Sequence, residues 1–159
     1  MKVAIISDSH YSVDKVKKLL THLDSIGIKQ LIHAGDFMGQ GIEDVLAGYP
    51  DITMWIARGN CDYSGRTLDI LKGFKHVHVR EVLRFELETK RFLVAHIPGV
   101  ALEAQKKERA DVIIHGHTHR VRIEQTESCL ILNPGSLMEG DGFVVLDLPG
   151  LEVDRRFNF

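Results

Sequence analysis

The sequence predicts a single α/β domain over residues 1–159, in which two β-sheets pack face to face and helices cover the outside. Three observations support this prediction. A chain of 159 residues is the usual size of one domain and can bury about two-thirds of its unfolded surface. Strands and helices alternate through the first half, which favours a mainly parallel sheet. The second half holds several short strands separated by turns, which supply a second sheet.

The first half begins with a short apolar run, "KVAIIS", which is typical of a strand buried on both faces. Ser12 can cap a helix over residues 13–26, where apolar side chains recur at helical spacing, and Gly27 ends it. A strand, a short helix and a strand follow at residues 29–35, 42–48 and 51–59.

The second half is predicted to contain mostly strands. A tight turn at Thr89–Lys90 joins two of them, and residues 100–110 are predicted to form a helix. The strands are expected at residues 76–80, 83–88, 91–96, 111–115, 121–125, 129–133, 143–148 and 152–157.

Composition excludes several functional classes. The net charge is -2 with acids and bases interspersed, so no nucleic-acid-binding patch and no membrane partner are expected. No apolar run approaches the ~18 residues of a membrane span, and Asp8 interrupts the first run too early for a signal peptide. Two cysteines make no disulfide framework and fit a reducing compartment, so the predicted location is cytoplasmic. Edge strands in the second half could support a homo-oligomer.

Polar side chains follow five of the predicted strands, at the point where each strand ends. Ligands bind at the carboxyl ends of strands in such folds, so these side chains are expected to converge on one edge. The set consists of Asp8, His10, Asp36, Asn60, Asp62, His96, His117 and His119. Taken singly, the aspartates could be helix caps, Asn60 a turn residue and His96 a histidine satisfied by backbone.

Together these residues form a coherent ligand set for divalent metals. Two cations about 3.5–4 Å apart need a carboxylate between them, and Asp36 is the candidate bridge. Gly35, Gly59 and Gly116 would let the backbone approach the ions. His115 is predicted to be structural, and the separate pair His76 and His78 is predicted to lie on a solvated strand face.

The ordered motifs resemble those of the calcineurin-like metallophosphoesterases, within them the small prokaryotic phosphodiesterases. The motifs are "DSH" (8–10), "GD" (35–36), "GNCD" (59–62), His96 and "GHTH" (116–119), and the turn "NPGS" (133–136) extends the match. The resemblance implies a four-layer α/β/β/α sandwich with two mixed β-sheets and helices outside.

The resemblance also implies a metal-dependent phosphoric diester hydrolase. Asp8, His10, Asp36 and His119 would hold the first ion, and Asp36, Asn60, His96 and His117 the second. A hydroxide bridging the ions would attack phosphorus in line with the leaving oxygen, with Asp36, Asn60 and His96 in the catalytic centre. The donor set suits Mn²⁺ foremost, with Ni²⁺, Fe²⁺ or Zn²⁺ as alternatives. A chain this short has no obvious lid, so small phosphodiesters are the expected substrates.

Two positions depart from the family pattern. Cys61 stands where members often have histidine; it is either a weak replacement acid, which would favour good leaving groups, or a small buried filler. His96 is followed by Ile97 and Pro98 where glycine is common, and Pro98 pushes Ile97 toward an extended conformation.

Three further residues are candidates for supporting roles outside the proposed ligand set. Asp62 could orient a ligand residue or form a turn, Arg58 could reach a phosphate or be solvated, and Asn133 is most simply a turn residue.

Two rival functions remain open at this point. One is a catalytically silent protein-interaction scaffold of the same architecture, like the retromer subunit. The other is a metallo-β-lactamase-type hydrolase, which "HGHTHR" superficially resembles, but the Asp-His that this class requires does not follow.

Overall fold

The computed structural model describes residues 1–62 and 65–159, which form eleven strands and four helices. The strands are β1 (Lys2–Ile6), β2 (Gln30–His33), β3 (Thr53–Ala57), β4 (Val77–Arg80), β5 (Val82–Leu87), β6 (Lys90–Ala95), β7 (Val112–Ile114), β8 (Arg122–Gln125), β9 (Leu130–Asn133), β10 (Phe143–Asp147) and β11 (Glu152–Arg156). The helices are α1 (Val13–Ser25), α2 (Ile42–Ala47), α3 (Gly65–Lys72) and α4 (Pro98–Lys107). None of the helices in these described ranges has the length and apolarity needed to cross a bilayer.

The strands form two mixed sheets. The first has the order β11-β10-β1-β2-β3-β4, with β1 to β4 parallel and β10 and β11 added antiparallel. The second has the order β5-β6-β7-β9-β8, in which β6, β7 and β9 are parallel and the two edge strands antiparallel. The parallel strands of each sheet therefore end together at one edge.

Side-chain alternation along the strands builds four layers. In β1, Ala4 and Ile6 pack into the cluster beneath α1, α2 and α3, whereas Val3 and Ile5 pack against the second sheet. A third cluster lies between the second sheet and α4, where Ala101 is fully buried. The predicted α/β/β/α sandwich with face-to-face sheets and outer helices is confirmed.

Helix α1 ends at a glycine as predicted but begins differently. The N–H of Gly27 (φ +73°) donates to Asp24 O and that of Ile28 to Leu23 O, the pattern of a Schellman motif. Ser12 occupies the N-cap position, but its side chain makes no capping hydrogen bond; its backbone carbonyl accepts from Val16 N. The capping contribution predicted for the Ser12 hydroxyl is therefore wrong.

Other boundaries differ for identifiable reasons. Helix α3 was not predicted, because its short amphipathic pattern buries only Leu71 completely. Helix α4 begins at Pro98 rather than at residue 100, since proline is favoured at the first helical position. The hairpin turn is Glu88–Thr89 rather than Thr89–Lys90, because Leu87 pairs with Lys90.

The pair His76 and His78 matches the predicted solvated strand face only in part, because both side chains are half-buried, and His76 precedes β4 with its Nε2 3.0 Å from Leu46 O. Val77 and Val79 alternate with these histidines and are buried. His78 is stacked on Trp55 with ring centroids 4.3 Å apart, so this face is shared between side chains and solvent.

Candidate metal centre

The loops after β1, β2, β3, β6 and β7 meet at one edge of the sandwich, and five predicted ligand residues come together there. They are Asp8, His10, Asp36, His96 and His119, whose carboxylate oxygens and ring nitrogens form overlapping groups suited to hold metal ions. Both sheets contribute, since His96 and His119 follow strands of the second sheet.

Each buried carboxylate faces several imidazoles. Asp8 Oδ1 lies 3.2 Å from His119 Nε2 and 4.0 Å from both His10 Nε2 and His96 Nε2. Asp36 Oδ2 lies 3.2 Å from His96 Nε2 and 3.9 Å from His10 Nε2. The two carboxylates thus occupy the middle of the histidine cluster.

The other two predicted ligand residues lie at the rim of this cluster. The His117 ring packs edge-on against His96, with centroids 5.2 Å apart. Asn60 is exposed, and its amide nitrogen donates to Cys61 Sγ at 3.4 Å. Backbone contacts place both beside the carboxylates, because His117 N donates to Asp8 Oδ2 and Cys61 N donates to Asp36 Oδ1.

The backbone at the centre is held in a rarely adopted conformation. Seven non-glycine residues of the described chain have positive φ, and five of them are predicted ligand residues. These are Asp8 (51°), His10 (43°), Asp36 (55°), His117 (68°) and His119 (55°). Left-handed φ costs on the order of 1–3 kcal/mol at such positions and persists where surrounding contacts enforce it, typically at functional sites.

Two glycines allow the loops to approach this closely. A Cβ on Gly59 would overlap Asp36, reaching within 2.8 Å of its Cγ, and a Cβ on Gly116 would come within 2.6 Å of Asp8 Oδ2. Any larger residue would displace one of the two carboxylates. The prediction that glycines permit close backbone approach agrees with this geometry.

Asp62 organises the loop that carries Asp36. It is 1% exposed, and its carboxylate accepts hydrogen bonds from the backbone N–H groups of Asp36, Phe37, Met38 and Gly59 at 2.7–3.0 Å. Burial raises the pKa of the Asp62 carboxyl, and the N–H donors counteract part of that rise. Of the two roles the sequence allowed, orienting a ligand residue fits the structure.

Asp36 and His96 stabilise one another's charged forms. Burial would raise the pKa of Asp36, but the His96 ring 3.2 Å away and the hydrogen bond from the Cys61 N–H outweigh burial and lower that pKa. Burial correspondingly opposes charge on His96, yet Asp36 and the Ala34 carbonyl raise its pKa. The 2.8 Å contact between His96 Nδ1 and Ala34 O directs Nε2 toward Asp36.

Several supporting residues were missed by the sequence analysis. Glu139 Oε1 lies 2.6 Å from His119 Nδ1 and raises the His119 pKa. Ser7 donates to Asp8 Oδ2 at 2.6 Å. His33 is bonded to the Ser9 hydroxyl, and burial lowers its pKa to about 3, so it is neutral. Nothing in the spacing of these residues distinguishes them from ordinary turn and strand positions.

The structure also places the remaining residues that the sequence analysis singled out. His115 is buried against Asn133 and the Gly116 carbonyl, in agreement with a structural role. Cys61 is exposed, so its interpretation as a buried filler is wrong; desolvation and the nearby Asp36 carboxylate raise its thiol pKa. Ile97 has φ -85° and ψ 125°, the predicted extended conformation, and the following Pro98 starts α4 without displacing His96.

The donor set fits divalent cations. Among the described residues, Asp8 Oδ1 and His96 Nε2 are buried without a hydrogen-bond partner, although both point into the cluster. Unpaired buried polar atoms are costly, and divalent cations bound within the cluster would satisfy both. Carboxylate oxygens with imidazole nitrogens are the ligands expected for such an ion.

Comparison with known proteins decides the family. Residues 1–148 match the calcineurin-like phosphoesterase superfamily domain. The chain belongs to this superfamily. The predicted resemblance is thereby confirmed, as are the predicted fold and the class of phosphoester hydrolase, and the superfamily implies divalent metal ions.

The protein is similar to a protein and a solved structure from archaea, and it shares its fold with a protein from a eukaryote. It is 24% identical over 141 residues to a protein of Methanocaldococcus jannaschii named phosphodiesterase MJ0936, a match covering 85% of this chain and 83% of the relative. The solved structure of an archaeal phosphodiesterase superposes with a TM-score of 0.85 at 23% identity, covering 99% and 100% of the two chains. A single mutant of Vps29 from Entamoeba histolytica superposes with a TM-score of 0.67 at 17% identity over 100% of both chains. The two superpositions show a shared fold.

Proposed function

We infer that the protein is a phosphodiesterase that uses two divalent metal ions to hydrolyse small phosphodiesters. The observation that carries this proposal is the convergence of Asp8 and Asp36 with three histidines at one sheet edge, on a backbone held at positive φ. The name of the Methanocaldococcus jannaschii relative supports a diester rather than a monoester as substrate.

The proposed ligands form two overlapping sets. Asp8, His10, Asp36 and His119 would hold the first ion, and Asp36, Asn60, His96 and His117 the second. The central carboxylate of Asp36, 3.2 Å from His96 and 3.9 Å from His10, supports its role as the shared ligand. Mn²⁺ is the proposed metal, with Ni²⁺, Fe²⁺ and Zn²⁺ as alternatives, because mixed oxygen and nitrogen donors accept all four.

When bound, such ions would make a hydroxide nucleophile available by lowering the pKa of water and would offset charge on the phosphoryl oxygens. The chain itself keeps the carboxylates ionised and oriented. Asp62 fixes the Asp36 loop, and the Ala34 carbonyl fixes the His96 ring. No side-chain nucleophile is needed in this scheme.

Cys61 shapes the expected leaving-group preference. Its thiol is exposed beside Asp36, and its raised pKa makes it a weak proton donor. Diesters whose leaving group departs without protonation, such as aryl oxides, should therefore react fastest.

The proposal extends to domain organisation, cellular location and oligomeric state. We infer that residues 1–159 act as one functional domain on a small diester in the cytoplasm, a location that two free cysteines fit. The exposed edge strand β8 leaves a homo-oligomer open.

The alternative proposal is a catalytically silent interaction scaffold. The fold shared with Vps29 favours it, whereas the overlapping groups of carboxylates and imidazoles at the sheet edge favour an enzyme. The two proposals differ in whether metal-dependent turnover exists.

Hydrolysis of bis(p-nitrophenyl) phosphate by chelator-treated protein, with Mn²⁺ added back, tests the proposal. Wild-type protein should turn over only with metal, and Asp36→Asn and His117→Ala should abolish turnover. His78→Ala is the matched control, since it removes a histidine of the other H-x-H pair and should preserve activity. A folded wild-type protein without turnover in any of the four metals would favour the scaffold.

A further inference from the structure

A cavity of about 410 Å³ opens beside the proposed metal centre. Asn60, Asp62 and His96 form the wall that it shares with the centre. Its volume lies in the range of pockets that hold drug-sized molecules, and it exceeds the space that a phosphoryl group needs. The cavity therefore has room for a substituent carried by the phosphorus.

Part of the cavity lining is apolar. It consists of Leu68 of α3 together with Ile97 and Val100 at the start of α4. Ile97 is 40% exposed and Val100 36% exposed, so both present apolar surface to the cavity rather than to the core. Helices from the two outer layers supply this surface, so it forms only when both layers are packed on the sheets.

The charges around the cavity are already paired. Arg58 Nη2 lies 3.7 Å from Glu81 Oε2, and both side chains line the cavity. The Asp62 carboxylate is occupied by four backbone N–H groups. An uncharged group therefore fits this space better than a second phosphate, and the planar guanidinium of Arg58 offers a stacking surface for a ring.

We propose that this cavity is a subsite for an uncharged aromatic ester arm of the substrate, an aryl group or a nucleobase. Ile97, Val100 and Leu68 contact the ring, while the phosphoryl group lies at the metal centre beside Asn60 and His96. The proposal rests on the proposed function and adds the chemical class of the substituent. Ile97 follows His96 directly, so the residue that departs from the family pattern becomes a determinant of specificity.

Two phosphonates that cannot be hydrolysed provide the test. Phenylphosphonate and methylphosphonate carry the same anionic head group and differ only in the ring. Calorimetric titration of the Mn²⁺-loaded protein should show phenylphosphonate binding about tenfold more tightly, the gain expected from burying part of a ring. Both anions should require the metal.

Ile97→Ser and Val100→Ser should each reduce the preference for the phenyl compound toward equality. Both side chains are partly exposed, and serine is well tolerated at the N-cap position of Ile97, so the fold should persist. Leu102→Ser is the matched control: this side chain of the same helix is 45% exposed and is not among those that line the cavity, and its loss should leave the preference intact.

The outcomes separate this proposal from the proposed function. Equal binding of the two anions by wild-type protein, or a preference that survives both cavity substitutions, would overturn the subsite alone. Absence of metal-dependent binding of either anion would overturn the metal-dependent phosphodiesterase and the subsite with it.

Discussion

Replacing Asn133 by alanine should destabilise the protein measurably, because this residue ties the end of β9 to the loop that carries His117 and His119. Asn133 is fully buried. Its amide nitrogen donates to Gly116 O and Thr118 Oγ1, each at 3.0 Å, and its Oδ1 accepts from Gly135 N at 2.9 Å.

The magnitude follows from these three contacts. A neutral hydrogen bond contributes roughly 1 kcal/mol net, so Asn133→Ala should lower the free energy of unfolding by about 3 kcal/mol. For a chain of this size that corresponds to a decrease in Tm of about 6–12 °C. The substitution also frees the loop containing Gly116, so metal affinity should fall together with stability.

Urea denaturation followed through the fluorescence of Trp55, the single tryptophan, would measure this loss. Trp55 stacks on Phe85 between the two sheets, with ring centroids 4.0 Å apart, so its fluorescence should change when the sheets separate. Asn158→Ala, at an exposed position near the carboxyl terminus, is the control and should change stability by less than about 0.5 kcal/mol. If Asn133→Ala were equally mild, the assignment of Asn133 as the tether of this loop would be refuted.

Three further predictions test other contacts. Glu139→Ala should weaken Mn²⁺ binding by about 10–100-fold in calorimetry, because Glu139 orients the His119 ring at 2.6 Å; unchanged affinity would contradict this. Asp111→Asn should cost about 1 kcal/mol at pH 7 in urea unfolding, because Arg91 lowers the Asp111 pKa from 3.8 to about 2 and solvent screens part of the effect. That stabilisation is complete above pH 3.8 and is lost as the pH falls through about 2, so a deficit that does not shrink below pH 3.8 would rule out the ion pair as its source. Cys61→His should speed hydrolysis of alkyl diesters relative to p-nitrophenyl diesters by up to about 100-fold, and an unchanged ratio of the two rates would argue against a leaving-group role at this position.

The sequence predicted the position of the site because parallel strands end at a common edge. Asp8, Asp36 and His96 each follow a short, largely apolar run, which is typical of a strand buried on both faces. The four-layer order was implied by the family resemblance and not by β1, whose apolar run is unbroken; in the structure its successive side chains pack on opposite faces. Short elements were less predictable, as α3 shows, because eight residues carry little periodic signal.

Contacts between distant segments could not be read from the chain. Glu139 contacts His119, which lies twenty residues earlier in the chain, and Asp62 accepts a hydrogen bond from Asp36, which lies twenty-six residues earlier. Neither pair has a spacing that any helix or strand repeat would generate. Asn133 illustrates the same limit, because its sequence context is that of a turn and its buried hydrogen bonds arise only where β7 and β9 lie side by side.

The amino-acid sequence by itself determined the strands and the identity of the side chains at the common edge, since these depend on local apolar pattern and strand direction. Tertiary structure alone decided which atoms face one another. The left-handed backbone at Asp8, Asp36 and His119 is unfavourable for an isolated segment, and it exists because packed sheets and buried hydrogen bonds enforce it. The same packing brings residues of α3 and α4 to one cavity, and so determines what lies beside the proposed metal centre.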